Sequence, residues 1–470
     1  MGKVSRHSDL TGRVVRTLSI FGSLEVITMA CAIVRTKLVA IWIGAAGVGI
    51  ISLYNTTLEM LKTVMQLNLR QSAVREIAAA DSTRRPLLCS ATRRCGLYIG
   101  VISSIIVALL SPLLSRLTFD TPAYTWGFAA LSVTMFAGAV TSAKSAVLQA
   151  LGLLRALARA SLWAALLSTA AAVPLFYFFR YDAIVPVLLV FPFSAMLFTL
   201  LQRDGCDRRT RHVTAELRRS MAAILRLGGW LTLAVGVTLA ADYALRIYIN
   251  ARGGLDSVGI FQAGYTIINS YIGIFFTAIS MEFFPRLSAT VSRRRITDVV
   301  MGHEITVVSW LLLPVVIIFL AADRLIVDIL YSSDFRAALP YMNVAIVATL
   351  LRGSSWCMAY MIMARGDGRA YVVTEILSAA VMLGSAIPLY NTMGFEGLGL
   401  AYLIQYVFYA ALTWSVCRRR YGLRLSPAVG RLIVGAPLIA AGALFLKSVA
   451  WWAPLLILPL LVRPALKALR

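Results

Sequence analysis

Residues 48–70 read VGIISLYNTTLEMLKTVMQLNLR. The stretch exceeds the roughly 20 residues that a helix needs to cross about 30 Å of hydrocarbon. Ser52, Thr56, Glu59, Thr63, Gln66 and Arg70 follow one another at intervals of 4, 3, 4, 3 and 4, which puts them on one face of a helix. Asn55 and Lys62 widen that face. A polar stripe cannot point at lipid, where each unsatisfied group costs several kcal/mol. It has to meet protein, water or a ligand.

Working outward, apolar stretches of this length recur along the chain. Spans are expected at 17–43, 48–69, 96–115, 124–148, 160–179, 183–201, 227–250, 258–283, 303–322, 339–363, 371–390 and 397–417. Shorter apolar runs at 432–446 and 449–462 are expected to add a C-terminal hairpin, giving fourteen. Only 14% of the 470 residues are charged and 59% are apolar, whereas soluble domains carry about 25% charged residues. The predicted class is an all-α polytopic membrane protein.

The net charge of +24 orients the map. With the N-terminus inside, 33 of the 45 Lys and Arg fall on cytoplasmic segments, 6 on external loops and 6 within spans, as the positive-inside rule requires. Topology and contact with anionic lipid account for the basic balance, so no nucleic acid partner is invoked. Cys31 and Cys357 fall within spans, and Cys89, Cys95, Cys206 and Cys417 at or near the cytoplasmic side, so no disulfide is expected. His7, His212 and His303 have no Cys or His partner at ligand spacing, so neither a metal nor another cofactor is expected. The first apolar run outlasts a signal peptide and is read as a retained helix.

An offset of 210 places Val48-Gly49-Ile50 on Val258-Gly259-Ile260, each after a short glycine-containing external turn. The same offset carries Ser52, Thr56 and Glu59 onto Gln262, Thr266 and Asn269. Six spans per copy return the second copy to the orientation of the first, so the repeats are parallel and related by a pseudo-twofold axis along the membrane normal, with a substrate site expected between them. The expected divisions are 1–212, 213–427 and an additional hairpin at 428–470.

Charges within the spans carry the functional reading. Arg35, Lys37, Lys62, Lys144, Arg246 and Arg352 are basic, and Lys144 is expected to snorkel to the cytoplasmic surface. Glu25, Glu59 and Asp242 oppose them, with Glu282, Glu304 and Glu375 nearer helix ends. Glu59 and Lys62 can pair, as can Asp242 and Arg246. Arg352 has no acidic neighbour within a turn, and Trp356 and Tyr360 continue its face, suited either to core packing or to stacking on sugars. An excess of membrane-embedded cations calls for an anionic ligand, and arginine suits phosphate. The expected substrate-binding residues are Arg35, Lys62, Arg246, Arg352, Gln262, Asn269, Trp356 and Tyr360. Glu25, Glu59 and Asp242 are the candidates for ion coupling.

The chain resembles the Wzx-type flippases of lipid-linked oligosaccharides, within the superfamily that also holds MurJ and the MATE exporters. The likeness is nearest to translocases of O-antigen and enterobacterial common antigen (lipid III) units. It is carried by Arg35-Thr36-Lys37-Leu38 with Gly44 to Gly49, by Asp256-Ser257-Val258-Gly259-Ile260-Phe261-Gln262, and by Phe284-Pro285-Arg286-Leu287-Ser288. Leu330-Tyr331-Ser332-Ser333-Asp334-Phe335, Ala364-Arg365-Gly366 and Tyr371 to Ser378 extend it, over roughly residues 10–420. The resemblance implies transfer of an undecaprenyl-pyrophosphate-linked oligosaccharide from the cytoplasmic to the outer leaflet of the bacterial inner membrane, by alternating access through a cationic central cavity. The expected partners are that substrate, membrane lipid, and glycan polymerase or assembly proteins. The C-terminal hairpin has no counterpart in twelve-helix members.

Two rivals share parts of this description. A MATE-like cation or drug exporter would have the same fold but not a cationic lining. A membrane glycosyltransferase or polymerase would need an acid and a base around a pocket. The longest external loop, 323–338, offers Asp323, Asp328 and Asp334 but is short. No enzymatic activity is expected.

Overall fold

The computed structural model describes residues 27–78, 80–81, 83–205, 215–291, 293–459 and 461. Residues 27–42 form α1, and the chain turns at Ile43 into α2 (Gly44–Gln66). Then follow α3 (Leu69–Ala78), α4 (Arg85–Phe119), α5 (Thr125–Ala150), α6 (Leu154–Phe179), α7 (Ile184–Leu200) and α8 (Ala215–Tyr265). After a π-helical turn, Thr266–Tyr271, come α9 (Gly273–Thr290), α10 (Arg294–Leu330), α11 (Leu339–Ala364), α12 (Gly368–Tyr421) and α13 (Pro427–Val449). Among the described residues every regular element is helical, and seven segments are long and apolar enough to cross a membrane. Two of these, Leu154–Leu200 and Gly368–Tyr421, each hold two successive helices. The protein is a multi-pass helical membrane protein.

Backbone breaks match the expected turns. Gly254 interrupts α8 at φ +72° and ψ −177°, and Gly394 interrupts α12 at φ +59° and ψ −132°. A residue with a Cβ is strained in these regions, which is why glycine holds such turns. The repeat is visible in the same backbone angles. Gly44 (φ +76°) lies 210 positions before Gly254, and Gly152 (φ +72°) lies 214 before Gly366 (φ +71°). Arg180 (φ +44°) lies 214 before Gly394. Equivalent helix–helix turns of the two copies therefore use left-handed backbone at matching places.

Three expectations need correction. Residues 69–78, read as cytoplasmic loop, form the separate helix α3 after a break at Leu67 (φ +46°) and Asn68 (φ +48°). Its Leu69, Ala73 and Ile77 recur every four residues and pack on Leu88, Ala91, Cys95, Ala143 and Val147. Helices α4 and α10 begin about three turns before the expected spans, at Arg85 and Arg294. In α4, Leu88, Ala91 and Cys95 supply an apolar face that keeps the basic segment helical. Of the C-terminal hairpin, α13 is a full helix, but Ala453–Ile457 is a short 3-10 turn packed on α10 and α13. Residues 462–470 lie outside the described residues.

The chain divides into two compact units, Met1–Leu239 and Ala240–Arg470. In the first, α4 runs against α5, and α7 against both α5 and α6. A Cβ at Gly96 would lie 2.5 Å from Ala143 Cβ, so small residues let these backbones approach. In the second, α11 packs on α10 and α12, and α13 lies against α10 and α11. Lys447 at the end of α13 pairs with Asp323 on α10 and donates to Asn343 Oδ1 on α11 at 3.0 Å.

Candidate functional site

In the first unit the C-terminal part of the α2 stripe, Lys62 and Gln66, faces α5. Lys62 Nζ pairs with Glu59 at 3.3 Å, and both side chains are exposed, by 38% and 59%. Both Lys62 and Gln66 lie over Gly138 of α5, where a Cβ would meet them at 3.6 and 3.5 Å. Ser142 donates to Gln66 Oε1 at 3.1 Å, and Arg70 Nε donates to Gln149 Oε1 at 3.1 Å. Arg35 on α1 donates from Nη1 to Ser168 Oγ on α6 at 3.1 Å, with its guanidinium 5.0 Å above the Phe191 ring of α7. Glu25, its expected neighbour, lies outside the described residues.

Lys144 does not snorkel. It reaches Asp204 at 2.7 Å, and Asp204 also takes Arg93. Burial pushes the Asp204 carboxyl up, but hydrogen bonds from Lys144 and Arg93 and the charges behind them outweigh it, and the carboxyl sits below its ordinary value.

The second unit holds two arginine clusters. Arg246 on α8 is 3% exposed and donates to Gln262 Oε1 from Nε (3.2 Å) and Nη2 (3.0 Å). Its guanidinium stands 4.5 Å from the Tyr265 ring centroid. The expected Asp242 contact forms through the wrong atom for an ion pair: Arg246 Nη1 donates to the Asp242 carbonyl at 3.0 Å. The Asp242 carboxylate instead accepts from Tyr265 at 2.7 Å. Gln262 passes the network on to Thr266 Oγ1 at 2.9 Å.

Arg352, on α11, donates from Nη1 to Asn269 Oδ1 at 2.8 Å and to the Tyr402 hydroxyl at 3.2 Å. Tyr402 also donates to Asn269 Oδ1, at 3.0 Å. The π-helical turn of Thr266–Tyr271 is what carries Asn269, an irregularity common at functional sites. Phe276 and Tyr406 present rings 5.2 and 5.9 Å from the guanidinium. Every one of these partners is neutral. Among the described residues, no carboxylate within 4 Å offsets the charge of Arg352 or of Arg35.

Trp356 and Tyr360 continue the Arg352 face and pack on each other, with centroids 4.5 Å apart. Phe276 and Phe283 flank Trp356, and Phe284 lies 5.3 Å from Tyr360. Sequence reasoning missed Tyr402, Tyr406 and Tyr409, although their spacing of 4 and 3 on an apolar span signalled a polar face. It had no means of finding Ser168 or Phe191, whose contact with Arg35 is purely tertiary. Asp323 and Asp328, weighed as enzymatic carboxylates, are each tied to a cation, Lys447 and Arg336.

Helices interrupted at repeated positions, with arginines inside spans, define the class: a multi-pass protein with the fold of the MATE and MurJ transporters. The lipid II flippase MurJ in an inward closed conformation superposes with a TM-score of 0.74 at 11% identity, over 96% of this chain and 97% of that one. An inward-facing multidrug resistance MATE transporter superposes with a TM-score of 0.71 at 16% identity, over 86% and 95%. The chain belongs to the polysaccharide biosynthesis protein family, which it matches over residues 39–340. A lipid III flippase of Escherichia coli (strain K12) is 24% identical over 235 residues, 50% of this chain and 55% of that protein. The chain thus spans about half the length of the curated relatives it matches.

Proposed function

We propose that the protein is a flippase that carries an undecaprenyl-pyrophosphate-linked oligosaccharide from the cytoplasmic to the outer leaflet of a bacterial inner membrane. The observation that carries this reading is Arg352, a cation in the middle of a span whose hydrogen bonds, among the described residues, go to an amide and a phenol. A charge at that depth costs at least about 2.5–3.5 kcal/mol, and neutral acceptors orient it without cancelling it. A pyrophosphate would complete the site, with the planar guanidinium matching two of its oxygens. Arg246, Gln262 and Asn269 of the same unit are the further groups assigned to that anion, and Arg35 and Lys62 are the groups proposed to bind substrate in the first unit.

The family match, and the lipid III and lipid II flippases among the similar proteins, support the same reading. Alternating access by two halves, divided near residues 212 and 213, would move the substrate. The N-terminus would be cytoplasmic, with glycan polymerase or assembly proteins receiving the product. Asp242, engaged by Tyr265, and Glu59, engaged by Lys62, are the carboxylates for an ion-coupling role. A cation exporter fits less well, since Arg352 and Arg35 would repel its cargo.

In cells whose own flippase is deleted, Arg352→Ala is expected to insert at the wild-type level yet abolish surface glycan. Arg352→Lys, which keeps the charge but loses bidentate geometry, is expected to restore only part of it. Normal surface glycan from Arg352→Ala at equal expression would remove the basis of the reading.

A further inference from the structure

Arg352, Asn269 and Tyr402 hold one another in a closed ring of hydrogen bonds. Arg352 Nη1 donates to Asn269 Oδ1 at 2.8 Å and to the Tyr402 hydroxyl at 3.2 Å, and that hydroxyl donates in turn to Asn269 Oδ1 at 3.0 Å. A guanidinium only donates, so the atom that faces Arg352 is the amide oxygen and the Asn269 amino group is turned to the other side. Its Nδ2 is buried and has no hydrogen-bond partner. A buried donor without an acceptor is unfavourable, and folded proteins keep few of them. Arg352 is engaged on one side in the same way. Among the described residues both of its hydrogen bonds use Nη1, which leaves the Nε–Nη2 edge, and such an edge can take two phosphate oxygens side by side.

We infer that the Nε–Nη2 edge of Arg352 and the amino group of Asn269 are the donors that meet the phosphate, and that Tyr402 is the positioning residue that holds the amide so turned. This rests on the flippase reading and adds to it the donor atoms and a residue that touches no substrate. Tyr402 is 4% exposed and comes from the second arm of α12, well away in sequence from both of its partners. Without its hydroxyl the Asn269 oxygen keeps one of two restraints, and the amide is free to swing its amino group off the ligand. The neutrality of the amide matters as much as its direction. A carboxylate in its place would pair with Arg352 inside the protein and cancel the charge that draws the anion.

The test titrates undecaprenyl pyrophosphate onto the purified full-length protein in detergent by native mass spectrometry, with melting temperatures taken on the same samples. Wild type is expected to bind the lipid. Asn269→Asp is expected to weaken binding about tenfold or more while melting no lower than wild type, because Arg352 gains a charged partner. Tyr402→Phe is expected to weaken binding about fivefold, the worth of one hydrogen bond. In an Asn269→Ala background the same Tyr402→Phe change is expected to cost nothing further, since its effect passes through the amide. Unchanged affinity in Asn269→Asp, or a Tyr402→Phe loss that persists in full without the amide, overturns the donor and positioning roles and leaves the flippase reading standing. Wild-type protein that does not bind undecaprenyl pyrophosphate overturns both.

Discussion

Asp204 is a carboxylate shared by two cations just beyond the end of α7, and only 3% of its side chain is exposed. Removing one member of such a buried set costs about 3–5 kcal/mol, because the remaining charges lose their partner without regaining water. Asp204→Asn is therefore expected to lower the thermal stability of the purified protein at pH 7. The pH dependence follows from the direction of the shift. The folded carboxyl titrates below its unfolded value of about 3.9, so its contribution is complete above that value and is lost as pH falls through the folded one. The gap in melting temperature between wild type and Asp204→Asn should accordingly be constant between pH 7 and pH 5 and shrink only below about pH 4. A gap that closes between pH 7 and pH 6 would mean that another group holds this corner. At this scale the sequence was informative where partners are local. Glu59 and Lys62, three apart, do pair. It misled where the partner is distant: Lys144 looked like a solitary snorkelling cation because Asp204 lies 60 positions away. Asp242 and Arg246 had the spacing of a pair, but Tyr265 and Gln262 compete successfully for their charged ends.

Helix ends were readable wherever glycine or proline punctuated the chain, as at Gly254, Gly394 and the Pro427 start of α13. The α2–α3 break was not read, because Leu67 carries no turn signature and the one signal beside it is a single Asn68, a residue type that tolerates the left-handed region. Hydropathy also missed the early starts of α4 and α10, since basic residues there sit on helix surface beyond the apolar core of the span. The repeat gives one element a testable flaw. Arg180 has φ +44° and ψ −114°, close to the φ +59° and ψ −132° of Gly394 at the equivalent turn of the second copy. This region suits glycine alone, and a residue with a Cβ there stores about 1–3 kcal/mol. Arg180 is exposed, so its side chain loses little on replacement. Arg180→Gly is expected to stabilise the protein by about 1 kcal/mol after the added freedom of the unfolded chain is allowed for. Arg180→Ala, which keeps the Cβ, should give no such gain. Melting temperatures of the two variants decide the matter, and equal values would show that the turn is unstrained.

The up-and-down order of the whole chain can be checked against its polar contacts. Asp204 meets Arg93 and Lys144, Asp367 meets Arg420 and Tyr421, and the Arg424 amide meets Asp298; all of these residues lie at the end of their unit that the charge count makes cytoplasmic. Tyr181 donates to the Ile43 carbonyl, Tyr248 to Asn391, and Lys447 joins Asp323, all at the opposite end. No contact in this set ties a segment expected inside to one expected outside, so the alternation is internally consistent. Which end faces the cytoplasm is a separate question that contacts within the protein do not answer. The proposed orientation, with the basic ends cytoplasmic, rests on the charge asymmetry, because Lys and Arg near span ends resist translocation whereas acidic residues matter little. In a background with all six cysteines replaced, Arg252→Cys is therefore expected to react with a membrane-impermeant maleimide added to intact spheroplasts. Thr83→Cys should react only after the membrane is opened. Both positions are exposed, so failure of either to label after permeabilisation would point to misfolding rather than topology. Labelling of Thr83→Cys in intact spheroplasts would invert the map.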